Sequence, residues 1–161
     1  MNVCTPIGNT IVNNKVSSRY IFQVVVGNQI GGVEHHIISL IRAVSSINSE
    51  FVILCGKEQL SFFKNQIPEV QAFSIGKNHF ENMIKFYKLH KQFNPQIVHC
   101  HLYPAMRIIA PLSKFFNTHR IYETIHIEEN WRKGWKHLIT KADSLIRRNF
   151  LHHSFAVSNA V

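Results

Sequence analysis

Repeatedly along this chain, a short apolar run gives way to a stretch whose apolar positions recur at helical spacing. Tyr20-Ile-Phe-Gln-Val-Val-Val26 is rich in β-formers and closed by Gly27, and Val33, Ile37, Leu40, Ile41 and Val44 then follow as one helix face. Phe51 to Cys55 repeats the strand, Gly56 closes it, and a short helix is expected from Glu58 to Gln66, stopping before Pro68. Val70 to Ile75 ends at Gly76, and Phe80, Met83, Ile84 and Tyr87 mark a helix that ends before Pro95. Gln96 to Cys100 reads as a fourth strand, and Pro104 suits the first position of a helix running to about Phe116. Arg120 to Ile125 is a fifth strand, a long helix is expected over about Trp131 to Leu151, and Ser154 to Val157 is a sixth strand.

Such alternation implies βαβ units, and nearly all-apolar strands imply a sheet buried on both faces. The expected fold is α/β: a Rossmann-like, doubly wound, mostly parallel six-stranded sheet in the order 3-2-1-4-5-6, with right-handed crossovers. The length of 161 residues suits one such domain. We read residues 1–18 as a flexible leader and 19–161 as the domain. With 45% apolar and 17% charged residues, disorder is excluded. Residues 1–18 lack the basic start and apolar stretch of a signal peptide, and no apolar run reaches the ~18 residues of a spanning helix, so a cytoplasmic protein is expected. Cys4, Cys55 and Cys100 are widely spaced with no C-x-x-C, which supports neither a disulfide framework nor a zinc ribbon. Cys55 and Cys100 lie in apolar runs, as buried reduced thiols do.

Ligands of such sheets bind beyond the carboxyl ends of the strands. Three loops there carry chemistry. Gly27-Asn-Gln-Ile-Gly-Gly-Val-Glu34 sets Gly31 and Gly32 at a helix start, where bare backbone N–H groups and the helix dipole favour a phosphate. The spacing is not G-x-G-x-x-G, and a plain tight turn explains the glycines equally. Glu34 falls where a capping side chain is expected. In Ile97-Val-His-Cys-His101, His99 and His101 alternate and so point to one side. With no third ligand nearby in sequence, hydrogen-bonded histidines are favoured over a metal pair, and His101 stays open as a ligand-facing residue. His126, just past the fifth strand, is placed to bond a substrate hydroxyl or act as acid or base.

The order of these motifs, G-G-V-E after the first strand, I-V-H-C-H at the fourth, T-I-H after the fifth and F-A-V-S at the sixth, resembles the amino-terminal half of family 4 glycosyltransferases. These are retaining enzymes of GT-B architecture that build polysaccharides and lipid-linked glycans. The resemblance runs from about Tyr20 to Val161. It implies that the domain mainly binds the acceptor, through Asn28, Glu34 and His101. It implies that Gly31 and Gly32 approach the donor phosphates and that His126 lies near the transferred sugar as the catalytic candidate. Ser158 matches the serine that closes the sixth strand. The implied partners are a nucleotide-sugar as co-substrate, a glycan or lipid-linked acceptor, and a carboxyl-terminal half that this chain lacks; no metal or other cofactor is expected. In the family that missing half carries an E-x7-E element. Glu50 and Glu58 match its spacing, but they lie around the second strand of the other domain and are set aside. The chain alone is expected to transfer little or no sugar.

Eighteen Lys and Arg residues against nine acids give a net charge of +9, which favours anionic partners. The stretch Asn130 to His137 and the helix after it combine Trp131 and Trp135 with Arg132, Lys133, Lys136, Arg147 and Arg148. A basic helix with tryptophans can lie on an anionic membrane, while a core-packed helix with a solvated basic face fits the same pattern. Basic residues spread along helices, in runs no longer than two, argue against a nucleic-acid module. A stand-alone Rossmann-like phosphate-binding or regulatory domain remains the alternative to a transferase half.

Overall fold

A computed structural model describes residues 19–27, 29–44, 49–76, 78–125 and 136–156. The residues 1–18, Asn28, His126, Trp131, Trp135 and Ser158 lie outside them. The elements alternate without exception: β1 (Arg19–Val25), α1 (Gly32–Val44), β2 (Ser49–Cys55), α2 (Lys57–Gln66), β3 (Gln71–Ser74), α3 (His79–Phe93), β4 (Ile97–His101), α4 (Leu102–Phe115), β5 (Arg120–Ile125), α5 (Lys136–Phe150) and β6 (His153–Ala156). The strands form one six-stranded sheet in the order β3-β2-β1-β4-β5-β6, and every pairing is parallel. The expected order and fold class therefore stand, with the sheet wholly parallel rather than mostly so.

Alternation along the strands sorts the core onto two faces. Val25, Ile53 and Cys55 pack with Ile37, Ile38 and Ile41 of α1 and Phe63 of α2. Phe22, Val24, Val98, Cys100 and Ile121 face the other way, onto Phe86, Leu89 and Phe93 of α3 and Met106 and Ile109 of α4. Phe22 meets Phe86 and Phe93 edge-on, with centroids 6.2 and 6.0 Å away. Burying each large apolar side chain contributes about 1.5–3 kcal/mol. Cys55 and Cys100 are free and buried. Burial pushes the Cys55 thiol up to about 12, the nearby Glu34 charge adding to it, and burial raises Cys100 as well.

Local signals fix several ends. Asn78 caps α3 by accepting from the Phe80 N–H at 3.0 Å, and Asn94 ends it in the left-handed region at φ 45°. The sequence places Pro104 first in its helix, whereas α4 begins at Leu102. Proline is tolerated because first-turn N–H groups have no intrahelical acceptor. Two ion pairs hold α5 in place. Glu123 of β5 accepts from Arg147 Nε at 2.8 Å and Nη2 at 3.2 Å. Asp143 accepts from Arg107 Nε at 2.6 Å and Nη2 at 2.7 Å. The Tyr103 ring lies 5.7 Å from the Arg107 guanidinium and 4.9 Å from that of Arg147.

Candidate functional site

The register aligns Cys55, Val25, His101 and Thr124 across β2, β1, β4 and β5. The loops that leave these positions are therefore neighbours along one sheet edge. Crossovers run to opposite sides of β1 and β4, which opens a crevice at that point. A cavity of about 530 Å³ lies at this edge. Val26 and Gly27 line it from β1, Gly56, Lys57 and Glu58 from the end of β2, Ile75 and Gly76 from β3, Asn82 from α3, and Pro104 and Ile108 from α4.

Backbone contact sets the geometry of this edge. A Cβ on Gly56 would stand 2.2 Å from the Gly27 carbonyl oxygen, so the loops after β1 and β2 touch main chain to main chain. Gln59, fully buried in α2, locks them. Its Oε1 accepts from the Gly56 N–H at 2.8 Å, and its Nε2 donates to the Gln29 carbonyl at 3.3 Å and to Glu34 Oε1. The other Glu34 oxygen accepts from the Gly31 N–H at 2.6 Å. Glu34 is thus the capping side chain that its spacing suggests, reaching back to the residue before α1. Only 2% exposed, it faces inward rather than towards a ligand. A Cβ on Gly32 would meet nothing within 4 Å, so the approach to the start of α1 is open there.

The sequence leaves His101 open as a ligand-facing residue at this edge. His101 does stand at the carboxyl end of β4, but its side chain has no exposed surface. Its Nε2 is 2.7 Å from Gln23 Oε1, a polar partner on β1 that satisfies the ring within the fold. His99 lies on the same side, 4.2 Å away centroid to centroid, with Nε2 2.7 Å from Thr124 Oγ1. Among the described residues, no group of three or more His, Cys, Asp or Glu side chains is arranged to hold a metal. Leu102, directly after His101, has φ 68°. A bulky residue in the left-handed region costs about 1–3 kcal/mol, and such strain concentrates at ligand-facing turns. Here it turns the chain sharply from β4 into α4 beside the cavity.

Sequence reasoning pointed to this edge, but of its candidates Gly31, Gly32, Glu34 and His101 none lines the cavity, and it did not single out Gln59, Gly56, Lys57 or Asn82. Asn82 binds both backbone groups of Gly76: its Oδ1 accepts from the Gly76 N–H at 2.7 Å, and its Nδ2 donates to the Gly76 carbonyl at 2.7 Å. That contact shapes the third loop of the cavity as Gln59 shapes the second. Asn28 and His126 lie outside the described residues; His126 directly follows β5 in sequence.

A family model described as Glycosyltransferase Family 4 matches residues 30–161. The chain belongs to glycosyltransferase family 4. Two solved structures share the fold of this family 4 domain. MurG of Acinetobacter baumannii superposes with a TM-score of 0.63 at 9% identity, over 89% of this chain and 42% of that one. A putative UDP-N-acetylglucosamine 2-epimerase of Listeria monocytogenes gives 0.55 at 11% identity, over 86% and 39%. The chain thus spans about two fifths of the length of each. The likeness is one of fold, a Rossmann-like half of GT-B architecture. No curated protein sequence matches the chain.

Proposed function

We propose that this family 4 domain is the acceptor-binding half of a retaining glycosyltransferase. It would serve transfer of a sugar from a nucleotide-sugar to a glycan or lipid-linked acceptor, as in polysaccharide or lipopolysaccharide synthesis. The observation that carries the reading is the 530 Å³ cavity at the carboxyl edge, whose walls are glycine loops held by buried side chains. Glycine walls let a substrate approach the backbone closely.

Roles follow from position for the described residues and from the family resemblance for Asn28 and His126. The open start of α1 at Gly32 receives the donor phosphates on backbone N–H groups, with Gly31 held behind it by Glu34. Asn28 and His126 contact the acceptor, with His126 next to the transferred sugar. Glu34 and His101 act from below the surface, as positioning residues. The nucleotide-sugar is a co-substrate, and no metal or other cofactor takes part. The work is done in the cytoplasm, at the inner face of the membrane.

Glu34 also argues that one wall is insufficient. Its carboxylate already sits at the positive end of the α1 dipole. A diphosphate arriving at Gly32 therefore meets an anion behind the loop; among the described residues Lys57 is the one cation lining the cavity on this wall, and further cations would come from the opposite wall. Positioning donor against acceptor can contribute about 7–11 kcal/mol of the barrier, and it requires both walls.

Amide shifts of the labelled chain, mixed with a carboxyl-terminal family 4 half and titrated with UDP- and GDP-sugars, test the reading. Shifts clustered at Gly27, Gly31, Gly32 and Gly56 are expected. Nucleotide shifts of the same size without the second half favour a stand-alone phosphate-binding domain. Shifts confined to the opposite sheet edge refute the site.

A further inference from the structure

The sheet carries a second cavity at its amino edge, about 480 Å³ in volume and within the usual range of small-molecule pockets. The register explains which side chains meet there. Ile21, Ile97 and Arg120 are level across β1, β4 and β5, and Arg19 is level with Ser49 across β1 and β2. Side chains alternate along a strand, so these five residues share the face that α1 covers further along the sheet. Val44, the last residue of α1, closes the cavity from one side, and Gln96 and His119 border it from just before β4 and β5.

The lining has an apolar part and a cationic part. Ile21 and Ile97 form an aliphatic floor with Val44 beside them, and Ser49 and Gln96 add neutral hydrogen-bonding groups. Arg19, His119 and Arg120 supply the basic side. Among the described residues no acid lines the cavity. Glu50, next to Ser49, is level with Tyr20 and so belongs to the other face. Among the same residues the side chains of Arg19 and His119 have no hydrogen-bond or ion-pair partner, and Arg120 has only the Tyr122 hydroxyl, 3.3 Å from its Nη1. The carbonyl end of α1 sets about half a negative charge beside two full positive ones. β1 and β5 flank β4 and lie about 10 Å apart, within the joint reach of two arginine side chains. A guanidinium without a partner is best satisfied by a bidentate oxyanion such as phosphate.

We propose that this amino-edge cavity is a second ligand site, for a phosphomonoester with a flat, uncharged body, of which a nucleoside monophosphate is the simplest example. Arg19 and Arg120 hold the phosphate, with His119 beside them. The ring lies on Ile21 and Ile97 against Val44, and Ser49 and Gln96 bond its polar edge. The site is independent of the transferase reading. Ile97 and His101 stand at opposite ends of β4, about 13 Å apart, so the two cavities do not share a ligand.

The test is an amide-shift titration of the labelled 161-residue chain with AMP and UMP, and separately with the bare nucleosides and with inorganic phosphate. Either nucleotide should move the amides of Arg19, Ser49, Gln96, Ile97 and Arg120, and nucleoside or phosphate alone should bind about tenfold or more weakly. Nuclear Overhauser contacts should join the base protons to methyl groups of Ile21, Val44 and Ile97. Arg19→Gln/Arg120→Gln should weaken binding by about tenfold or more. Both arginines are exposed, so circular dichroism should show that variant folded. Lys88→Gln/Lys91→Gln removes the same charge from exposed positions on α3 and should leave binding unchanged. No shifts at this edge with either nucleotide at millimolar concentration overturns the proposal, as does the absence of contacts to the three methyl-bearing residues. Equal weakening by the arginine and lysine variants would reduce binding to the net charge of +9 and overturn it. Inorganic phosphate binding as tightly as the nucleotides would leave a bare anion patch, and oligothymidylate binding far more tightly than UMP through the same amides would make the edge a nucleic-acid surface; either result overturns it.

Discussion

Two buried carboxylates in this domain are held in different ways. Glu123, with no exposed surface, faces the Arg147 guanidinium and accepts from Ser154 Oγ at 3.3 Å. Burial alone would lower the Arg147 pKa, but the hydrogen bond and charge of Glu123 outweigh it and hold that group above its ordinary value. Glu34 is as deeply placed, yet its described partners are neutral donors: the Gly31 N–H and the Gln59 amide. The first carboxylate ties together β5, α5 and β6, elements that shape the fold. The second ties a loop to a loop at the edge where substrates enter. A buried ion pair neutralises itself, whereas a carboxylate in an amide cage keeps its field and fixes backbone geometry around it.

The largest effect should come from breaking the ion pair. Glu123→Ala strands Arg147 and should cost about 3–5 kcal/mol in chemical denaturation, towards the lower end because Arg147 remains 21% exposed. Glu123→Met with Arg147→Met should recover most of that loss. If the double variant is no better than the single, the pair is not what holds α5.

On the other side of the comparison, Gly56→Ala forces a methyl group against the Gly27 carbonyl and should cost about 3 kcal/mol. Gly32→Ala meets open space and should change stability by less than about 0.5 kcal/mol. Equal costs at the two glycines would contradict the main-chain contact between the loops. Glu34→Gln leaves one acceptor in place but sets an amide N–H against the Gln59 amide, a loss of about 1 kcal/mol. Exchanging the two, Glu34→Gln with Gln59→Glu, should restore only part of it: the Gly31 and Gly56 N–H groups and the link between the two side chains are satisfied again, but the Gln29 carbonyl loses its donor.

The smallest effect is one of pH. Burial holds His90 below its ordinary value, with its Nε2 2.8 Å from Thr118 Oγ1. The unfolded chain then binds the proton more readily, so the contribution of His90 is present above about pH 6.5 and is lost as pH falls towards the folded value. Thermal melts of the protein and of His90→Gln should converge in acid, and parallel curves would remove His90 from the account.

Much of the fold was legible because each strand announces itself locally, through β-formers closed by glycine or histidine. Glu34 was legible as a cap for the same reason, since it lies three residues after Gly31. Gln59, three residues after Gly56, carried the same local signal and was overlooked; only its bonds to Gln29 and Glu34 reach back into another loop, 25 to 30 residues away. The burial of His101 depends on Gln23, which is 78 residues away. Helix α3 is the instructive case. Phe80, Met83, Ile84 and Tyr87 correctly signalled a helix, yet they lie on the face turned away from the core. Periodicity reports that a helix has an apolar side; it does not say what covers that side. Asn28 and His126, the acceptor and catalytic candidates, lie outside the described residues, so their roles stand on the family resemblance.

The central claim is that this domain supplies one wall of a two-walled transferase site. The direct measurement is a radiolabelled sugar-transfer assay on the purified chain, with and without a carboxyl-terminal family 4 half. The account predicts background transfer by the chain alone, turnover when the second half is added, and turnover that persists in a metal chelator. Robust transfer by the 161-residue chain by itself would contradict it.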